Sequence, residues 1–127
     1  MLFRSVATCD THVRIKRNPD RLRAADVLYV GYTHLPCGPF PDGVMDPPFE
    51  LVVEVRSPSN TWTEQVTKCF EYLDAGVQVV LLLDPDTQTA SVYRANAVQE
   101  TFHAADTLTL PDVLPGFRVP VARLFKV

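Results

Sequence analysis

Apolar positions along this chain fall into short runs with two different periods. Val13 and Ile15 alternate with Arg14 and Lys16, the two-residue period of a half-buried strand, and Asn18-Pro19-Asp20 supplies a turn after it. A second short apolar strand is predicted over residues 25–31, with Asp26 at its entrance. Residues 32–49 carry Pro36, Pro39, Pro41, Pro47 and Pro48, which excludes helix interior and central strand and predicts a long surface loop. Strand character returns over residues 50–57, "ELVVEVRS". A helix follows, because Thr61 and Glu64 have capping-box spacing and Trp62, Val66, Cys69, Phe70 and Leu73 form one apolar stripe. On that stripe's geometry Lys68 falls on the solvent side, beside Gln65 and Tyr72. Gly76 ends the helix.

Residues 77–84, "VQVVLLLD", are continuously apolar and predict a central strand. "DPDT" is a tight turn, and residues 88–95 form the next strand, antiparallel to the last. The tail over residues 107–125 is apolar but interrupted by Pro111, Pro115 and Pro120. It reads as irregular chain wrapping the sheet, with a short turn at residues 122–125. The order is strand, strand, strand, helix, strand, strand, an α/β mixed sheet with one flanking helix. One sheet face is left without an evident cover.

At 127 residues the chain is long enough for one domain, residues 1–127, and too short for two. Hydrophobic residues at 46% and charged residues at 21% are ordinary for a globular protein. No apolar run approaches the roughly 18 residues of a membrane span, and "MLFRSVATCD" lacks a signal-peptide core, so a cytoplasmic location is expected. Cys9, Cys37 and Cys69 are too widely spaced for a zinc motif or a disulfide framework. His12, His34 and His103 are equally scattered. A net charge of −3 argues against a generic nucleic-acid coat, although Arg14, Lys16, Arg17, Arg21 and Arg23 make a local basic strip. That strip is either a solvated sheet face or an edge that meets phosphates.

The unusual residue is Glu54, a carboxylate amid Val52, Val53 and Val55. Alternation puts Glu50, Val52, Glu54 and Arg56 on one face, and Asp26 opens the strand expected beside it. Two carboxylates on neighbouring strands repel unless a cation lies between them, and Mg²⁺ favours a couple of carboxylates completed by water or phosphate. A nearby Lys or Arg would stabilise charge building on a phosphoryl oxygen. Arg56 holds the third place of the Glu-x-Lys triplet, while Lys68 lies in the helix. An ion pair or a sheet-rim position explains Glu54 equally well from the pattern alone.

Longer stretches bear on the choice. "AADVLYVG", "FELVVEVRSPSNTWTEQVTKCFEYLDAGVQVVLLLDPDTQTASVYR" and "DTLTLPDVLPGFRVPVARLF" resemble the Uma-type restriction endonuclease family, within the restriction-endonuclease-like PD-(D/E)xK nucleases. The resemblance runs from about Val13 to Phe125. It implies a restriction-endonuclease-like mixed sheet with a flanking helix, and a Mg²⁺-dependent endonuclease acting on DNA. Mg²⁺, or another divalent metal, would be held by Asp26, Glu54 and the backbone carbonyl of Val55. Lys68 would be the catalytic lysine, migrated from strand to helix, and Glu50 stands where the family often has Asp. From their positions alone Arg56 and Tyr72 are candidates for support, Tyr72 being otherwise a rim residue packed on the sheet. Arg14, Lys16 and Arg21 are the residues expected to meet DNA phosphates, and a homodimer would suit cutting of both strands.

Two features depart from the family pattern. Ala25 stands where the family has Pro before the first carboxylate, which removes a rigid backbone angle but no chemistry. Family members also begin with a further N-terminal segment, so the chain reads as N-terminally truncated. The expected consequence is an incompletely covered sheet with an exposed apolar patch. The alternative function is a catalytically inactive member serving as a binding or interaction module, or a nonfunctional fragment.

Overall fold

A computed structural model describes residues 4–8, 12–17, 19–31 and 44–126. Its centre is a six-stranded sheet in the order β1-β4-β6-β7-β8-β9: β1 (Arg4–Thr8), β4 (Val27–Gly31), β6 (Phe49–Val55), β7 (Val77–Asp84), β8 (Thr89–Arg94) and β9 (Glu100–Phe102). The β6–β7 pair is parallel and is joined by α1 (Trp62–Ala75), while all other neighbours run antiparallel. A small three-stranded sheet combines β2 (His12–Lys16), β3 (Arg21–Ala24) and β5 (Val44–Met45).

Local chemistry explains the helix boundaries. Thr61 accepts from the Glu64 backbone N–H, and the Glu64 carboxylate accepts from the Thr61 N–H, so the capping box closes. At the far end Gly76 takes the left-handed conformation, φ 118°, that a residue with Cβ resists.

Alternation along β7 gives the sheet two buried faces. Val80 and Leu82 pack with Val52, Leu28, Cys69 and Tyr72 under α1 and the small sheet. Val79 and Leu81 pack on the opposite side with Leu51, Val92, Leu108, Leu110 and Val121. The second face is therefore covered, contrary to the sequence-based expectation. Its cover is the C-terminal tail, which is not irregular. It forms an antiparallel ribbon of β10 (Thr107–Leu110) and β11 (Leu114–Pro120), and a 3-10 turn at Val121–Phe125. The prolines fit because a two-stranded ribbon leaves many backbone groups unpaired, and a bulge falls between Thr109 and Leu110. Arg94 ties the ribbon's turn to β8 through two bonds to Asp112, at 2.8 and 3.1 Å.

Residues 21–24, for which the sequence predicts no element, form β3 against β2. Two other expectations need correction. The proline-rich segment contributes β5, parallel to β2, and Phe49 within the core. The helix stripe is rotated: Gln65, Cys69, Tyr72 and Leu73 are buried, whereas Trp62 and Phe70 are half exposed. Hydrophobicity alone placed Gln65 and Tyr72 outward. The Tyr72 hydroxyl has partners beneath the helix and the Gln65 amide nitrogen donates to Asn60, which offsets part of the cost of burying them.

Candidate active site

The C-terminal half of β6 delivers Glu54 to the space under α1. Val52 precedes it on the same face and anchors the strand in the core. Only 2% of Glu54 is exposed. Three groups, two from α1 and one from the approach to β4, converge on it. Lys68 of α1 places Nζ 3.1 Å from Glu54 Oε1. Tyr72, one turn later on the same helix face, places its hydroxyl 2.7 Å from that oxygen. Asp26, at the start of β4, lies close enough for hydrogen bonding and charge repulsion with Glu54. Asp26 is itself fixed, because its Oδ2 accepts from the Val55 backbone N–H at 2.8 Å.

Burial dominates the electrostatics. It pushes the Glu54 carboxyl up to about 7 from an ordinary 4.5; Lys68 and the Tyr72 hydroxyl pull it down, and Asp26 raises it further. Burial and the Glu54 charge drive the Tyr72 phenol far above its usual value, so it stays neutral and acts as a donor. Cys69, also buried beside this group, is pushed up to about 12 and is an inert thiol.

The residues expected to act together divide into two groups. Asp26, Glu54, Lys68 and Tyr72 meet. Lys68 is not the solvated residue that the apolar stripe suggested, and Tyr72 is not a rim residue. Arg56 goes elsewhere: its guanidinium lies 3.6 Å from both Asp84 and Asp86 at the β7–β8 turn. A rim position does not account for Glu54, which is buried; an ion pair does form, with Lys68 of the helix rather than with a neighbour of Arg56. Glu50 accepts from the Gly31 backbone N–H at 2.8 Å. A Cβ at position 31 would meet that carboxylate, which would have to turn aside.

The basic strip is largely matched by acids. Arg14 faces Asp20 and Asp46, Arg17 also faces Asp46, and both Arg21 and Arg23 reach Glu71. Lys16 is exposed. Among the histidines, His12 and His103 stand apart, and His34 lies outside the described residues with Cys9 and Cys37. Sequence reasoning missed Gln65, which is buried and donates to Asn60 Oδ1 at 2.8 Å. Its spacing from Cys69 and Tyr72 was the available signal.

Among the described residues no three or more His, Cys, Asp or Glu side chains cluster. Two carboxylates with a backbone carbonyl nearby are instead the hard-oxygen set that Mg²⁺ accepts, since it retains waters and shares phosphate oxygens. A buried Glu54 carboxyl, raised and set beside the exposed Asp26, is also an electrostatic problem that a cation relieves. The residues fit such an ion.

Comparisons with known proteins agree with this architecture. A family model, Uma2, described as "Putative restriction endonuclease", matches residues 3–122. No curated protein matches. Among solved structures, the fold is similar to that of "a putative nuclease belonging to DUF820" from Anabaena variabilis, with a TM-score of 0.81 at 20% identity. The match covers 97% of this chain and 68% of that one. No helix among the described residues is long and apolar enough to cross a membrane. With the family model spanning nearly its whole length, the chain belongs to the Uma2 family and has a restriction-endonuclease-like mixed α/β fold.

Proposed function

We propose that this protein is a Mg²⁺-dependent endonuclease that hydrolyses phosphodiester bonds in DNA. The observation that carries the reading is the buried Glu54 carboxylate, held by Lys68 and Tyr72 and adjoined by Asp26. A purely structural carboxylate in an apolar strand would be costly to retain.

Asp26, Glu54 and the Val55 carbonyl are the groups that would hold Mg²⁺, or another divalent ion such as Mn²⁺. Such an ion, when bound, supplies Lewis-acid charge to a phosphoryl oxygen and makes a coordinated water more acidic. The protein's own contribution is orientation and charge. Tyr72 fixes one Glu54 oxygen, and the Val55 N–H fixes one Asp26 oxygen, so both carboxylates are aimed before substrate arrives. Lys68 sits on the Glu54 oxygen, where its ammonium can turn to a non-bridging phosphate oxygen as negative charge builds there.

Nicking of supercoiled plasmid tests the reading. Conversion to open circles with Mg²⁺ and none in EDTA is the expected result. No conversion with Mg²⁺ or Mn²⁺ would overturn it.

A further inference from the structure

The polar side of α1 borders a cleft of about 610 Å³ that the carboxylate chemistry does not use. Arg23 of β3 and Asn60, Thr63, Gln65, Thr67 and Lys68 are among its lining. The volume lies within the range of about 300–1,000 Å³ typical of small-ligand sites. Lys68 belongs both to this cleft and to the carboxylate site, so the two are continuous.

Gln65 points to a ligand. Only 6% of it is exposed, its Nε2 is engaged by Asn60, and its Oε1 is enclosed without a hydrogen-bond partner. The Arg23 Nε is likewise unpartnered. A buried amide oxygen left unpaired is costly, and Leu or Met would fill the same volume without that cost. The terminal torsion of a Gln side chain is broad, so the amide can release Asn60 and turn its oxygen toward the cleft.

The lining joins two cations, Arg23 paired on one side with Glu71 and Lys68 with Glu54, to neutral donors and acceptors. Its one acid, Glu64, is turned back onto the Thr61 N–H. This set suits a ligand with an anionic group beside a neutral polar body. A nucleotide has that composition. A duplex keeps its base edges within its grooves, whereas an unpaired base can bring its edge into a cleft. Building on the nuclease reading of the adjoining site, we infer that the cleft binds one unpaired nucleotide of the substrate strand. Its phosphate is drawn by Arg23 and Lys68, and its base edge donates to Gln65 Oε1.

The test is fluorescence anisotropy in EDTA, where no bond is cut, with a short labelled single strand and the same sequence as a blunt duplex. The parent chain binds the single strand more tightly. Gln65→Leu weakens that binding about tenfold while its melting temperature holds or rises, because an unpaired polar atom has been removed. Thr67→Glu, at an exposed helix position, also weakens it, whereas Gln99→Glu, outside the cleft, does not. Unchanged single-strand binding by Gln65→Leu and Thr67→Glu would overturn the inference, as would tighter binding of the duplex by the parent. The nuclease reading fails separately. A chain that binds single strands through Gln65 and Thr67 yet nicks no plasmid with Mg²⁺ keeps the cleft and loses the nuclease.

Discussion

Tyr72 donates its hydroxyl to Glu54 Oε1 across 2.7 Å, and the same hydroxyl lies 3.1 Å from the carbonyl oxygen of Ala24. One phenol carries one proton, so the charged partner takes it when Glu54 is ionised. Tyr72 thus spans the strand that bears Glu54 and the segment leading to Asp26. Tyr72→Phe should cost about 1.5–3 kcal/mol of stability, the usual scale for one hydrogen bond to a charged group. It should also move the Glu54 carboxyl further above 7, because the hydroxyl now pulls it down. Denaturant unfolding and carboxyl titration by NMR would measure both. A variant with unchanged stability and titration would show the phenol to be only filling space.

The raised Glu54 carboxyl also predicts a pH dependence of folding. Between about 4.5 and 7 the folded chain holds a proton that the unfolded chain releases. Stability in EDTA should therefore fall as pH rises through that window and level off above it, by about 3 kcal/mol for a shift of this size. Glu54→Gln should lack this component. Urea midpoints of both proteins across pH 4–8 would check it, and parallel profiles would refute it.

Arg14, Lys16 and Arg21 remain the candidates for meeting DNA phosphates, but Arg14 and Arg21 already face acids. Their triple Gln variant should bind DNA more weakly, with a reduced salt slope of log K. The existing ion pairs make the expected reduction less than the roughly 0.9 per contact that a free cation would give. An identical slope would make the strip a solvated face.

How much of this was legible in the chain depended on where partners lie in sequence. The capping box of Thr61 and Glu64, the Gly76 terminus and the β7–β8 hairpin are local, and each formed where its residues predicted. Asp26 and Glu54 were also legible, because alternation and strand adjacency bring them together. The tail was not. Its cover of the second face depends on Leu108, Leu110 and Val121 meeting Val79 and Leu81, a contact between segments far apart in sequence. The orientation of α1 failed for a related reason. Gln65 and Tyr72 turn inward because Asn60, Ala24 and Glu54 receive their polar atoms, and hydrophobic periodicity does not register such partners.

Metal binding separates the carboxylates from the lysine. In calorimetric titrations at a pH well above 7, Glu54→Gln should lose Mg²⁺ binding while barely changing side-chain volume. Lys68→Met should retain it, and removal of a nearby positive charge should tighten it slightly. Equal affinity of Glu54→Gln and the parent would exclude Glu54 as a ligand.

The rate of plasmid nicking by Lys68→Met at saturating Mg²⁺ isolates the role of the helix lysine. Lys68 is held 3.1 Å from Glu54 by the rigid first turns of α1. With the ion bound in both proteins, only the lysine's action on the reacting phosphate or water differs. The Lys68→Met rate should fall by about two to three orders of magnitude relative to the parent, the cost of one lost transition-state donor. Cleavage by Lys68→Met at the parent's rate would contradict it, making the helix lysine a spectator and Arg56 the cation to examine.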